Sequence, residues 1–398
     1  MAATQAAWRF YHNEAIRLPA LMEPLLEAGR QALQLDAGRY ALIMHDWSYL
    51  HFNNHDAKAD RVQLAQSRDW GYELQAALLV SSAQGRPLAP VSLSIRAADG
   101  VHCSQWGKVR PAQSRLDELE PVMEFVERQR WEKPAVHIID AAADSVGHYR
   151  SWLRTPGRFV VVRADDRVVL HEDENRRFSA IFTQLWEQQA FRRAGQVQCR
   201  GQAATQWIAE TTVTITQPAR PHRRNGQPRR NIPGPPVTLR LVISRIQPLD
   251  PAAKAEVWFL LTNLPAEVTA EQVALWYYWR WGIESYFKLL KSAGQQLEHW
   301  QQESAAALTR RLLIASMACV LVWQLSRDQS PEAGQLRDIL IRISGRQMKY
   351  GRAFTTPALL AGLWTLLSMF ALLEQHNLSD LQKLATKVLA RAGPNHAS

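Results

Sequence analysis

Apolar runs at residues 39–52, 71–82 and 90–95, rich in Val, Leu and Tyr and parted by polar or Gly/Pro breaks, predict three consecutive strands. The period then changes. Residues 116–131 place Leu116, Leu119, Val122, Met123, Phe125 and Val126 at helical intervals, with charged residues between them. Residues 135–139 form a short buried strand that ends in Asp140, residues 144–153 a helix, and residues 158–163 (Arg-Phe-Val-Val-Val-Arg) another buried strand. Three strands, helix, strand, helix, strand is an antiparallel meander that continues into parallel crossovers. Ahead of it stands one helical stretch, residues 18–35, preceded by Trp8, Phe10 and Tyr11.

Residues 167–262 break the pattern, with plausible strands at 211–216, 237–246 and 257–261. From Thr269 onward the chain reads as almost wholly helical, with breaks near Ser330, at 351–356 and near Asn377; Thr356 before Pro357 predicts an N-cap with proline at the first helical position. Two apolar runs, 312–325 and 357–373, are shorter than a bilayer span of about 20 residues and carry Ser, Thr or Gln. Buried bundle helices are the expectation for both, with no membrane partner. These breaks give five regions: a helical N-terminal segment (1–36), an α/β core (37–166), a β-rich basic insertion (167–265), a core helix (266–295) and a helical C-terminal region (296–398) expected to serve dimerisation.

The apolar share of 46% over 398 residues is that of a chain with real cores. Lys and Arg outnumber Asp and Glu by 47 to 37, a formal net charge of +10 that favours a polyanionic partner. Residues 217–249 contain no acidic residue while Arg220, Arg223, Arg224, Arg229, Arg230, Arg240 and Arg245 are positive, a pattern suited to tracking phosphates. Cys103, Cys199 and Cys319 fit neither a disulfide framework nor a zinc knuckle, and no secretion signal opens the chain, so a reducing, cytoplasmic compartment is expected.

Candidate chemistry lies at strand ends and on one helix. Asp46 follows the apolar run 40–44 and Asp140 follows 136–139, so two carboxylates at the ends of neighbouring strands can converge. On the helix beginning near Thr269, Tyr277, Arg280, Glu284 and Lys291 fall within an arc of about 60° at 100° per residue. A salt-bridged surface face would also carry such residues. Yet Trp276, Tyr278, Trp279, Trp281, Tyr286 and Phe287 crowd the same segment.

The spacing Tyr277, Arg280, Glu284, Lys291 resembles the signature of the IS4-type DDE transposases, Tn5-like members among them. Asp140-Ala-Ala-Ala-Asp144, the 158–163 strand and Trp258-Phe-Leu-Leu-Thr-Asn-Leu-Pro265 are similar to further segments of that family. The resemblance implies an RNase H-like catalytic core interrupted by a β-rich insertion, with a helical C-terminal region, which is the organisation the pattern itself gives. It implies cut-and-paste transposition: Asp46, Asp140 and Glu284 hold two Mg²⁺ ions, with Mn²⁺ as a substitute, and the DNA is nicked, closed into a hairpin, reopened and joined to target DNA. Tyr277, Arg280, Lys291 and Arg163 would grip phosphates, and Trp258 and Trp281 would hold a flipped base. The implied partners are the element's inverted ends, target DNA and a second copy of the chain, at the bacterial nucleoid. Relatives carry an end-binding domain before the first strand, whereas 45 residues precede Asp46 here, so that domain is expected to be missing. Two other readings are an RNase H-like nuclease that cuts without joining and a truncated, inactive DNA-binding regulator of a longer transposase.

Overall fold

The computed structural model describes residues 2–112, 114–199, 201–220, 231–250, 252–348, 351 and 353–391. Two helices, α1 (Ala2–His12) and α2 (Leu18–Gln34), lead into β1 (Ala41–His51), β2 (Val62–Gln63), β3 (Trp70–Ser81), β4 (Pro87–Ala97), β5 (Gly100–Cys103) and β6 (Gly107–Val109). Then come α3 (Leu119–Arg128), β7 (Ala135–Ile139), α4 (Val146–Trp152) and β8 (Phe159–Ala164). The next stretch holds β9 (Val168–His171), β10 (Glu174–Arg177), α5 (Phe178–Glu187), β11 (Arg192–Cys199), β12 (Gln202–Ile215), β13 (Val237–Pro248) and β14 (Glu256–Thr262). Helices α6 (Ala270–Tyr278), α7 (Trp281–Lys288), α8 (Ala305–Arg327), α9 (Pro331–Ile343), α10 (Thr356–Leu373) and α11 (Leu378–Arg391) complete the chain.

The chain divides into two compact units, Met1–Lys288 with Leu297–Met317, and Leu289–Gln296 with Ala318–Ser398. In the first, one mostly antiparallel sheet runs β10-β9-β12-β13-β14-β8-β7-β1-β3-β4-β5-β6. At its centre, β1 pairs antiparallel with β3 and parallel with β7, and β7 pairs parallel with β8. The β-rich insertion does not stand apart. Strand β14 lies antiparallel along β8, which would otherwise be an open edge, so the insertion extends the central sheet. Leu119 and Met123 of α3, Tyr149 and Trp152 of α4, and Phe178 and Ile181 of α5 pack with Ile139, Val160 and Val162 in one apolar cluster. Helix α2 comes close to β3 and β4 because Gly29 has no side chain; a Cβ there would meet Leu79 at 3.3 Å and Ala89 at 3.4 Å.

Three elements differ from the sequence expectation. Strand β1 bears out the expected 39–52 run, but Asp46 lies inside it and not at its end, since β3 continues to pair with β1 after β7 has ended. The segment expected as one core helix is two, α6 and α7, with Trp279 and Arg280 between them and a π-helical turn, Leu289–Ala293, after them. The insertion also contains a helix and a hairpin absent from that expectation, and its 211–216 run is only the end of the 14-residue β12.

In the second unit the cap of α10 is Thr355, whose hydroxyl accepts from Ala358 N, one residue before the expected Thr356. Helices α8 and α10 are each long and apolar enough to cross a membrane by length and composition. The expectation of buried helices holds for α8, 72% buried over its apolar window, and fails for α10, 22% buried.

Candidate active site

Residue pairing between β1 and β7 runs from Ala41 opposite Ala135 to Met44 opposite Ile138. Carried two residues further, the same register sets Asp46 beside Asp140. Both line a cavity of about 110 Å³ whose wall includes Trp47, Tyr49, Arg115 and Ala142. Asp46 is held from one side by the Trp47 N–H, which donates to Oδ1 at 2.9 Å. Asp140 caps a short 3-10 turn, accepting from Ala142 N at 3.0 Å. Its companion Asp144 has a structural task instead. It accepts from Tyr149 Oη at 2.7 Å and Asp165 N at 2.9 Å and pairs with Arg167 at 2.6 Å, which fixes the turn after β7.

Helix α7 brings the third carboxylate. Arg280, in the break between α6 and α7, pairs with Asp46 at 2.9 Å through Nη1 and with Glu284 at 3.2 Å through Nη2. The break itself is anchored on the β3–β4 turn: Trp276 Nε1 donates to Ser82 O at 3.2 Å, and Trp279 packs over Gly85. Burial raises the Asp46 pKa, with Arg280 and the Trp47 N–H opposing and Asp140 adding to the rise. Burial likewise raises Glu284, opposed by Arg280 and reinforced by Asp46 and Asp140. Glu284 thus feels both aspartates, and Asp46 feels Asp140. By donor chemistry alone, the carboxylates of Asp46, Asp140 and Glu284 are hard oxygen ligands of the kind a divalent cation takes.

Tyr277 is buried, its ring set edge-on to Trp258 at 5.3 Å between centroids. Burial raises its phenol pKa against the pull of Arg280 and Arg163, which brings Arg163 of β8 into the same group. Trp258 itself is 5% exposed and Trp281 55% exposed, so of the two only Trp281 offers an open ring face. Lys291 lies half-buried in the π-helical turn of the second unit. Arg223, Arg224, Arg229 and Arg230 fall outside the described residues. Arg240 is committed locally, bonded to Glu210 and to the carbonyls of Pro265 and Val268, and Arg245 stacks on Trp186 at 4.4 Å.

Among the described residues, Asp60, Asp99 and His102 are the one set of three whose ligand atoms all lie within 4.8 Å of one another, which Asp46, Asp140 and Glu284 are not. Their oxygens already accept from Tyr72, Ala305 N and Lys108, so this cluster reads as a structural knot. Sequence reasoning missed Arg115, which reaches the cavity wall from the turn before α3 and belongs to no motif.

Residues 110–321, a little over half of the chain, match the family model of the transposase DDE domain. The matched range includes Asp140, Arg280 and Glu284 and stops short of Asp46, whose place in the group rests on the β1–β7 register and the Arg280 ion pair. No curated protein matches the chain.

Proposed function

The chain belongs to the transposases with a DDE domain, and on that premise we propose that it is a cut-and-paste DNA transposase of the IS4 group, with Asp46, Asp140 and Glu284 as its metal-holding residues. The observation that carries this is the guanidinium of Arg280, which ties Glu284 to Asp46 beside Asp140. The strand order β4-β3-β1-β7-β8 supports an RNase H-like core.

When bound, Mg²⁺ or Mn²⁺ supplies Lewis-acid activation of a water or 3′-hydroxyl and charge stabilisation of the leaving oxygen. The chain's own residues do the rest. Asp46 and Asp140, fixed by backbone N–H donors, line the cavity, and Asp46 holds its second oxygen on Arg280. Arg280, charged throughout the working pH range, holds both carboxylates and would lend its charge to the phosphate under attack. Arg163, Tyr277 and Lys291 are proposed phosphate contacts. Water attacks the phosphodiester at the element's end and frees a 3′-hydroxyl; that hydroxyl attacks the opposite strand to give a hairpin, which is reopened and joined to target DNA. Trp281, with its open face, is the better candidate to stack on the base extruded at the hairpin, a contact worth about 1–3 kcal/mol. Trp258 would act from beneath by backing Tyr277. Double-stranded DNA, at the inverted ends and the target, is the partner, taken up by a homodimer at the bacterial nucleoid.

Incubation with Mg²⁺ and a duplex carrying the element's own ends tests the reading. Nicks, hairpins and joined products are expected; nicks alone would favour a nuclease, and binding without cleavage a regulator. Glu284→Gln should lower cleavage by roughly 10³-fold or more, the several kcal/mol that charge stabilisation contributes, while sparing DNA binding. Wild-type cleavage by that variant would overturn the carboxylate assignment.

A further inference from the structure

The 3-10 turn Arg115–Glu118, capped by Ser114, delivers Arg115 to the wall of the cavity that Asp46 and Asp140 share. Its guanidinium lies 5.7 Å from the ring centre of Trp47 and 5.8 Å from that of Tyr49, two residues that project to the same side of β1. Nη1 donates to Tyr49 Oη at 3.0 Å, the guanidinium's one hydrogen bond among the described residues. The Glu73 carboxylate stands 3.8 Å away, beyond hydrogen-bond reach, and is also faced by Arg96. Arg96 in turn pairs with Glu118, so the ion pairing that ties this turn to the sheet does not depend on Arg115.

An arginine meant to neutralise a neighbour is bonded to a carboxylate. This one has only a long ion pair, to a carboxylate that it shares with Arg96, and two aromatic faces and a phenol fix its direction, which leaves its charge partly balanced and most of its donor fork open. Its side chain remains 33% exposed. Beside two carboxylates such a cation suits a ligand that is anionic on both sides of the reacting centre. We infer that Arg115 binds a backbone phosphate of the DNA strand being cut, next to the phosphate under attack. The inference rests on the DNA-cleavage reading and adds to it a phosphate contact outside the Tyr-Arg-Glu-Lys signature.

Binding of a duplex carrying the element's terminal sequence, measured without divalent metal over a range of KCl, tests it with wild type, Arg115→Ala and Arg115→Lys. Loss of one phosphate contact should reduce the steepness of log K against log salt by about 0.9. Lys, which keeps the charge, should restore most of that steepness. A methylphosphonate placed at the phosphate flanking the cleaved bond should weaken wild-type binding and leave Arg115→Ala binding unchanged. If Arg115→Ala keeps the wild-type steepness and stays sensitive to the methylphosphonate, Arg115 only braces Trp47 and Tyr49, and the inference fails while the cleavage reading stands. Wild-type protein that binds no duplex in a salt-dependent way would overturn both.

Discussion

Beneath the carboxylates lies a buried polar chain. His45, one residue before Asp46, shares a hydrogen bond with His137 of β7 at 2.9 Å, and His137 reaches Glu127 at 3.2 Å. Glu127 takes a two-pronged pair of bonds from Arg158, at 2.7 and 2.8 Å. The chain ties β1 to β7, and so guards the register that opposes Asp46 to Asp140. Burial works to raise the Glu127 carboxyl, but the hydrogen bonds from Arg158 and His137 outweigh it and hold the pKa at about 2, below its ordinary 4.5. Because folding lowers this pKa, its contribution to stability is fully present above pH 4.5 and is lost as pH falls through about 2. Glu127→Gln should therefore be less stable than wild type by up to about 3 kcal/mol at neutral pH. Urea melts across the acid range should show that gap narrowing below pH 4.5. A gap independent of pH would mean that Glu127 contributes by shape and not by charge. Asp46 and Glu284, whose pKa values are raised, carry the opposite sign: their ionisation costs stability as pH rises above the ordinary carboxylate range.

At the level of elements, the break between α6 and α7 decides whether Arg280 reaches Asp46. The β3–β4 turn sets that break. Gly85 adopts a positive φ of 67°, and a Cβ on it would lie 2.4 Å from the Trp279 ring. Gly85→Ala should thus be penalised twice, by backbone strain and by displacement of Trp279, for about 1–3 kcal/mol in all. Cleavage should fall more than thermal stability alone explains, because Arg280 follows Trp279 directly; a variant melting lower but cutting at the wild-type rate would show that the turn only supports the fold. This geometry explains what could be read in advance. Glu284 and Asp140 were legible because helical spacing and a strand end leave marks in one short stretch of sequence. The aromatic crowding around them was legible as well, but not its purpose, since Trp276 and Trp279 dock on a turn 194 residues earlier in the chain. Arg115 was invisible for the same reason: its partner Tyr49 is 66 residues away. The break between α6 and α7 and the π-helical turn escaped because period counting assumes an unbroken α-helix; β11 escaped because polar residues fill it, whereas α5 had a legible signal in Phe178, Ile181, Phe182 and Leu185 at helical spacing.

Across the whole molecule, two surface properties bear on assembly: a net charge of +10, and an apolar helix face in the second unit. Trp364, Leu367 and Phe370 of α10 recur at three-residue intervals and are 39%, 44% and 53% exposed, with Met369 and Leu373 beside them. Single exposed apolar side chains are ordinary, but a contiguous stripe of this kind marks a surface that meets something. An 18-residue helix is about 27 Å long, enough to form the core of a standard interface that buries roughly 800 Å² per partner. A second copy of the chain fits the proposed activity, because joining two ends of one element needs two active sites held together. Trp364→Asp combined with Phe370→Asp should shift sedimentation of the DNA-bound protein from dimer to monomer and leave the melting temperature within a few degrees of wild type. Such a monomer should still bind and nick a single end, since the carboxylates and Arg280 lie in the other unit, while joined products that require two ends disappear. The same helix is long and apolar enough for a bilayer, so the control is flotation with neutral lipid vesicles. Wild-type protein that floats with lipid and sediments as a monomer with DNA would assign the stripe to a membrane and remove the dimer.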